Sequence, residues 1–140
     1  MKQVFADAGY WIALWSPRDA LHHRAVLMAD TLTATRVVTT RLVLIEALDA
    51  MAGMGEFRRR FATQMVRRLE QDPDIEIVSP SDAQFMAALE RYAARPDQRW
   101  GLTDCASFLV MEARGIAEAL AYDRDFEQAG FVALLRDESR

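Results

Sequence analysis

The chain has 140 residues, 51% of them apolar, and this length predicts a single domain over residues 1–140 that folds without disulfide bonds. One cysteine, Cys105, excludes an internal disulfide, and one lysine, Lys2, nearly excludes P-loop and Schiff-base chemistry. The net charge of -4 argues against affinity for nucleic acid that depends on overall charge alone.

The sequence contains no targeting signal. Asp7 follows only three apolar residues at the N-terminus, too few for the core of a signal peptide. No apolar run approaches the roughly 20 residues that span a bilayer. We therefore expect a soluble protein of the cytoplasm that makes no membrane contact.

Strand-like and helical segments alternate along the chain. In the first part, the predicted elements are a strand at 4–6, a short helix at 10–14, a helix that begins with Ser16 as N-cap and Pro17 at its first position, a strand at 36–38, and a helix that Thr39 or Thr40 caps and Gly53 ends. The later elements are an amphipathic helix over 57–69, a strand at 75–78, a helix capped by Ser81, a polar loop at 95–101, a helix that Thr103 caps and Gly115 ends, a strand at 118–122, a short helix at 126–129 and a strand at 131–135.

This alternation predicts an α/β fold with a parallel sheet and helices on both of its faces. Right-handed crossovers then place the C-terminal ends of all strands at one edge. Ligands of open α/β sheets bind at that edge.

Four carboxylates are predicted to lie near this edge. They are Asp7 and Asp123, which directly follow the first and fourth predicted strands, Glu46 in the early turns of the helix after the second strand, and Asp104 in the first turn of its helix. If the fourth strand lies beside the first, the four side chains can meet. Asp7 and Asp104 also have ordinary interpretations, as a strand stop and a favoured first-turn residue. Glu46 is harder to explain in that way, because an unpaired carboxylate among apolar residues is costly.

Carboxylates gathered without a lysine or histidine beside them repel one another. A hard divalent cation with oxygen ligands, Mg²⁺ or Mn²⁺, resolves this repulsion. Two such ions about 4 Å apart suit an in-line attack on a phosphodiester. The residues alone therefore indicate metal-dependent chemistry on a phosphate ester.

Segments throughout the chain resemble the PIN-domain ribonucleases, and specifically the VapC-like toxins of bacterial toxin–antitoxin pairs. The matching segments are residues 4–7, 19–25, 38–46, 100–108 and 121–131. The block Leu102-Thr103-Asp104-Cys105, together with the spacing of Asp123, Phe126, Gly130 and Phe131, is specific in combination. The resemblance covers essentially the whole chain.

The resemblance implies a three-layer α/β/α domain with a short central parallel sheet of four to five strands. It also implies endonucleolytic cleavage of RNA that depends on Mg²⁺ or Mn²⁺ and leaves 5′-phosphate and 3′-hydroxyl ends. The catalytic and metal-binding residues would be Asp7, Glu46, Asp104 and Asp123. The expected partners are the RNA substrate, a cognate antitoxin protein and a second copy of the chain in a homodimer.

Two positions depart from the family pattern. Ala8 stands where a serine or threonine often follows the first aspartate, so a hydroxyl beside Asp7 is missing. Asp125 stands where many relatives carry histidine, and it either adds to the acidic cluster or replaces Asp123 as an outer ligand. We favour Asp123, because it is predicted to come directly off the strand.

Further residues are candidates for supporting roles. Ser107 lies three residues after Asp104 on the same helical face, where it can bond an acid, a phosphate or its own backbone. Thr39 is either an auxiliary site residue or only a helix cap. The loop that leads to Asp104 supplies three candidate RNA contacts, Arg95, Arg99 and Trp100. A base would stack on the tryptophan.

Large apolar residues are abundant on the early helices. A surplus beyond what the core takes up would form a groove for a partner helix. The candidates are Trp11, Trp15, Met51, Met54, Phe57 and Phe61.

Two other functions compete with the ribonuclease. A catalytically silent PIN-fold binding module would use the acidic edge for protein contact, but such a module is expected to have lost at least one of the four acids. A phosphotransfer domain with a flavodoxin-like sheet requires paired acids after the first strand and a lysine near a late strand, and both are absent. The complete acid set favours the nuclease.

Overall fold

The computed structural model describes residues 1–136, so the last four positions of the predicted domain, 137–140, lie outside the described residues. The elements run in the order β1 (Lys2–Ala6), α1 (Ala8–Trp15), α2 (His22–Ala29), β2 (Thr35–Thr40), α3 (Arg41–Ala52), α4 (Glu56–Gln71), β3 (Ile75–Val78), α5 (Asp82–Ala94), α6 (Leu102–Arg114), β4 (Glu118–Leu120), α7 (Arg124–Gln128) and β5 (Val132–Ala133). Within residues 1–136, none of the helices has both the length and the apolar character needed to cross a membrane.

The strands form one five-stranded parallel sheet in the order β3-β2-β1-β4-β5. The first strand lies in the centre, where Phe5 is opposite Val38 of β2 on one side and Ala119 of β4 on the other. The predicted parallel sheet is confirmed, and the fourth strand does lie beside the first, which is the condition for the four acids to meet. The C-terminal ends of β1, β2 and β4 therefore share one edge.

Helices cover both faces of the sheet. Val4 and Phe5 are consecutive, so their side chains point to opposite faces, yet they are only 1% and 0% exposed. On one face, the ring of Phe5 lies 6.5 Å from that of Phe126 on α7, which packs edge-on against Phe108 of α6. Burial on both faces explains why the central strand ends in an apolar run, residues 4–6, without polar alternation.

Several predicted helix ends are confirmed. The Thr40 hydroxyl accepts a hydrogen bond from the backbone N–H of Val43 and caps α3. Ser81 and Gln84 form a reciprocal capping box at the start of α5. Gly115 ends α6 with a φ of 66°, a left-handed conformation that glycine adopts without a steric penalty.

The predicted helix start at Ser16 and Pro17 is wrong, because α2 begins at His22. The Asp19 carboxylate accepts a hydrogen bond from the backbone N–H of Leu21 at 2.9 Å. The backbone N–H of Asp19 in turn donates to the Ser16 carbonyl at 3.0 Å. These local bonds form a turn, and a short acidic side chain of this kind competes with the helix for backbone groups.

Other boundaries also differ from the prediction, including those of α7 (Arg124–Gln128) and β5 (Val132–Ala133). Gly101, not Thr103, is the N-cap of α6, because the Asp104 carboxylate accepts the hydrogen bond of the Gly101 N–H. The fourth strand ends earlier than predicted, at Leu120. Its partner β1 ends at Ala6, directly opposite Leu120, so pairing with the central strand stops there, and only the Leu135 N–H still bonds the following Ala121 carbonyl.

Candidate active site

Asp7 is the residue at which β1 ends and α1 begins. Its backbone N–H donates to the Leu120 carbonyl at 3.1 Å, and its own carbonyl accepts from the N–H of Tyr10, also at 3.1 Å. Asp7 is 6% exposed, and its side chain makes no helix-capping hydrogen bond. The backbone alone builds this turn, which leaves the carboxylate available for other contacts.

Burial without a counter-charge dominates the electrostatics of Asp7. Desolvation is the largest cause, repulsion from Asp104 is the next, and together they raise the pKa of Asp7 to about 8. The backbone amide of Ala8 acts in the opposite direction, and Glu46 and Asp123 add further repulsion. The Oδ1 atom of Asp7 is buried and has no hydrogen-bond partner among the described residues. Such an oxygen is costly unless a proton or a cation satisfies it.

Asp104 approaches the same edge from the first turn of α6. Its Oδ2 accepts a hydrogen bond from the Gly101 N–H at 3.0 Å, which lowers its pKa, but burial is the larger effect. With added repulsion from Asp125, Glu46 and Asp123, the pKa of Asp104 is raised to about 6. Asp104 and Asp7 therefore form the buried part of one acidic cluster.

Glu46 lies on the exposed face of α3, so the prediction that it sits among apolar side chains is wrong. Apolar residues occur on almost every side of this helix. The face with Ile45 and Glu46 is turned to solvent, and Leu44 and Ala47 are buried. Partial burial and then repulsion from Asp123 still raise the pKa of Glu46.

Asp123 and Asp125 approach the cluster from α7. Asp123 is the exposed N-cap of this helix, and Ala121 and Tyr122 separate it from β4. The pKa of Asp125 is raised by burial and by repulsion from Asp123, against the opposing charge of Arg99. Because Asp123 does not come directly off the strand, that reason for preferring it over Asp125 does not hold.

The four predicted acids lie close enough to repel one another at one edge of the sheet. Among residues 1–136, no three histidine, cysteine, aspartate or glutamate side chains are arranged to hold a metal ion as they stand. Mg²⁺ requires less than this, because it keeps several waters and binds through about one or two carboxylates. The all-oxygen donor set and the unpartnered Oδ1 of Asp7 fit a hard divalent cation.

The two candidate hydroxyls are both engaged with backbone carbonyls. Ser107 is buried and donates to the carbonyl of Thr103 at 2.9 Å, within its own helix, so its hydrogen is not directed at an acid. Thr39 does not cap α3, since Thr40 does so. It is fully buried and donates to the carbonyl of Ala6 at 2.9 Å.

The loop that leads to α6 is held by its own side chains. Arg95 makes two hydrogen bonds of 3.0 Å to the Asp97 carboxylate and lies over the ring of Trp100 at 4.9 Å. Trp100 is 6% exposed and packs edge-on against Phe108. A base can therefore stack on Trp100 only if these neighbours move. Arg99 lies near enough to Asp125 to oppose the rise of its pKa.

A contact that no sequence pattern indicates holds the turn before Asp123. Arg136 donates to the Tyr122 carbonyl at 2.8 Å, lies over the Tyr122 ring at 4.7 Å and pairs with Glu127. The Leu135 N–H donates to the Ala121 carbonyl at 3.0 Å. No sequence spacing indicates a bond between segments this far apart.

The large apolar residues of the early helices divide between core and surface. Trp11, Trp15 and Met51 are buried, whereas Met54 and Phe57, at the junction of α3 and α4, are 45% and 65% exposed. They line an open cleft of about 720 Å³ together with residues of the 16–20 turn. The core therefore leaves Met54 and Phe57 at the surface, which is the apolar surplus that a groove for a partner helix requires.

Similarity to known proteins identifies the fold. Residues 4–132 match the PIN domain family. The chain belongs to this family. The predicted resemblance to PIN-domain, VapC-like proteins is confirmed. This PIN domain is 31% identical over 130 residues to the 23S rRNA-specific endonuclease VapC20 of Mycobacterium tuberculosis. The alignment covers 92% of this chain and 95% of the relative.

Two crystal structures resemble this PIN domain. The structure of M. tuberculosis VapC20, described as a sarcin-ricin loop cleaving toxin, matches with a TM-score of 0.82 and 26% identity over 92% of this chain and 96% of that one. The structure of PAE2754 from Pyrobaculum aerophilum matches with a TM-score of 0.58 and 17% identity over 95% and 90%. The second likeness shows the fold alone.

Proposed function

We propose that this PIN domain is an endoribonuclease that cleaves RNA phosphodiester bonds with the aid of Mg²⁺ or Mn²⁺ and acts as the toxin of a toxin–antitoxin pair. The observation that carries the proposal is the acidic cluster, in which Asp7 is buried, has an unpartnered oxygen and has a pKa raised to about 8. The similar M. tuberculosis protein is an endonuclease specific for 23S rRNA, which supports RNA as the substrate class here.

The four acids divide into two pairs by their exposure. Asp7 and Asp104 are suited to bind the ion most directly, because their burial makes an unneutralised charge costly. Glu46 and Asp123 line the exposed side, where waters and RNA approach, and Asp125 supports them from α7. When bound, a divalent ion offsets the charge of the scissile phosphate and makes water a better nucleophile.

Glu46 is the acid best suited to accept the proton of the attacking water. It is exposed on the substrate side, and its raised pKa increases its basicity. Attack at phosphorus with departure of the 3′ oxygen leaves a 5′-phosphate on one product and a 3′-hydroxyl on the other. We therefore expect end groups of this kind on the cleaved RNA.

Arginines next to the cluster are suited to hold the RNA backbone. Arg99 has no hydrogen-bond or ion-pair partner among residues 1–136 and lies beside Asp125. Arg95 is already paired with Asp97 and reaches phosphate only by exchanging that partner. Arginine binds phosphate well because its planar guanidinium presents several donors at once. Trp100 supports this loop by packing beneath Arg95.

The activity can be tested with purified protein, labelled RNA and either Mg²⁺ or Mn²⁺. Asp104→Asn and an excess of EDTA should each abolish cleavage. Asp82→Asn is the matched control, because Asp82 is also a first-turn aspartate, on helix α5, is exposed, and is not among the charges that act on Asp7, Glu46 or Asp104. Cleavage that survives both Asp104→Asn and the chelator would contradict the metal site.

The partners in this proposal are RNA, a cognate antitoxin and a second copy of the chain. The exposed Met54 and Phe57 support a protein-binding surface where α3 meets α4. Expression of the chain should arrest growth, and co-expression of the neighbouring open reading frame should relieve the arrest. Sedimentation of the purified protein tests the homodimer.

A further inference from the structure

A closed set of hydrogen bonds surrounds the backbone of Asp7. The Trp11 indole Nε1–H donates to the Thr39 hydroxyl at 3.3 Å, and that hydroxyl donates to the Ala6 carbonyl at 2.9 Å. The backbone N–H of Trp11 donates to the Asp7 carbonyl at 3.5 Å. These three hydrogen bonds link the Ala6 carbonyl to the Asp7 carbonyl through the side chains of Thr39 and Trp11. We call this set of bonds the path.

Both side chains in this path are enclosed. Trp11 is 3% exposed and Thr39 is fully buried, so water does not replace either hydrogen bond. Trp11 is further fixed between aromatic neighbours, with the Tyr10 ring at 5.0 Å and the Trp15 ring at 5.8 Å. Buried polar groups are hydrogen-bonded because an unsatisfied one is costly, so the path is a rigid connection between α1 and β2.

The direction of the Asp7 carboxylate depends on this backbone. Its Oδ1 has no hydrogen-bond partner among the described residues, and Ala8 has no hydroxyl to offer. On the β4 side, the Asp7 N–H is held by the Leu120 carbonyl. On the β2 side, the Thr39 hydroxyl holds the Ala6 carbonyl. The side chain is therefore aimed by bonds to its backbone from both neighbouring strands.

We propose that Trp11 and Thr39 are positioning residues that aim the Asp7 carboxylate at the metal ion, an inference that rests on the proposed function. Neither side chain touches RNA or the ion. Each acts through the backbone at Ala6 and Asp7. Loss of the Thr39 hydroxyl should therefore weaken metal binding and the chemical step but leave the binding of RNA unchanged.

Thr39→Val is the decisive variant, because valine keeps the shape of threonine and removes only the hydroxyl. We expect it to weaken Mn²⁺ affinity and lower kcat by about tenfold each, with KM for RNA unchanged, as is typical when an outer partner of a metal ligand is lost. Mn²⁺ binding is measured on the RNA-free full chain from the electron paramagnetic resonance signal of the free ion. This readout does not depend on turnover.

Two further variants separate positioning from general stability. Thr39→Ser keeps the hydroxyl and loses the methyl group, so it should bind Mn²⁺ within about twofold of the unsubstituted chain even if its melting temperature falls. Thr35→Val makes the same exchange on the same strand, at a threonine whose hydroxyl bonds only the Thr33 carbonyl, and should leave Mn²⁺ affinity unchanged.

The inference is overturned if Thr39→Val binds Mn²⁺ as tightly as Thr35→Val, or if Thr39→Ser is as impaired as Thr39→Val. If Thr39→Val does not fold, Trp11→Phe replaces it, since phenylalanine keeps an aromatic ring and removes the indole N–H. An unchanged Mn²⁺ affinity in Trp11→Phe would then overturn the inference. If the unsubstituted chain binds no Mn²⁺, the proposed function fails together with this inference.

Discussion

Asp7 and Glu76 are carboxylates on the same parallel sheet, yet their surroundings are opposite. Glu76, on β3, accepts hydrogen bonds from both terminal nitrogens of Arg114 at 2.7 and 2.6 Å and from Arg36 at 3.4 Å. The bonds from Arg114 are the main reason that its pKa is lowered. Asp7, at the end of the central strand, has no basic partner among the described residues, and its pKa is raised to about 8.

The difference shows that the fold places arginine side chains beside a carboxylate such as Glu76, whose role is structural. Sixteen of its 17 basic residues are arginines, and several bind acids on the helices and strands around β3. The acidic cluster is left without them, at a cost in stability. A cluster of this kind is suited to a cation that comes from outside the chain.

Asp7→Asn should give the largest effect, because it removes the carboxylate at the centre of the cluster, the group that would bind the ion. We expect cleavage to fall by at least about a hundredfold, since even the outer partners of metal ligands contribute about 10–100-fold. The same change should raise the free energy of unfolding of the metal-free protein by roughly 1–3 kcal/mol near pH 7, less than the full value of the pKa shift because the amide is also polar and buried. RNA cleavage and urea unfolding measure the two effects on one preparation, and a less stable variant would contradict this account of Asp7.

The pH dependence of stability should reveal the same unpaired acid. Unfolded Asp7 ionises near 3.8, whereas folded Asp7 stays protonated up to about 8. Between these values the folded state binds the extra proton, so the metal-free protein should lose stability as pH rises from about 4 to about 8. Asp104, with its pKa of about 6, adds to the loss over the lower part of this range.

Saturating Mg²⁺ should flatten this slope, because an ion that binds the folded state offsets the charge that the proton would otherwise remove. Thermal melts with Mg²⁺ and with EDTA at each pH measure the effect. A metal-free protein whose stability rises over this range would show that Asp7 is paired in solution.

Glu76→Gln should change stability and activity less than Asp7→Asn or the change in pH. The pairs that it breaks are partly exposed, so we expect a loss of at most about 1 kcal/mol, which disappears in high salt. Because its pKa is lowered in the fold, the stabilisation from Glu76 is present above the unfolded pKa and is lost as pH falls through the folded one. RNA cleavage should be unchanged, and a large loss of activity would mean that β3 contributes to the site.

The edge on which the acids meet could be predicted from the sequence because it follows from connectivity. Alternating strands and helices lead to a parallel sheet, and a carboxylate that interrupts an apolar run, as Asp7 does, marks the end of a strand. The exposure of Glu46 could not be predicted in the same way. Apolar residues occur on almost every side of α3, so periodicity did not show which face is turned to solvent.

Contacts between distant segments were also beyond prediction. Trp100 lies in a polar loop and is a candidate RNA contact by sequence, but its ring is covered by Arg95 and packed on Phe108. Thr39 and Thr40 are adjacent and chemically identical, and only the register of β2 decides which one caps α3 and which one bonds Ala6. Choices of this kind depend on packing that no local pattern records.

Helix α1 starts from the backbone of Asp7, and the Asp7 carboxylate makes no helix-capping hydrogen bond. The Asp7 side chain can therefore be replaced while the Asp7 backbone still forms the turn that begins α1. A catalytically dead copy of this protein should keep the shape of the active one, which gives a harmless form for growing cells, for trapping uncut RNA and for collecting partners. Under the proposed function, a gene that loses the nuclease chemistry can still encode a chain that competes with the active toxin for its antitoxin.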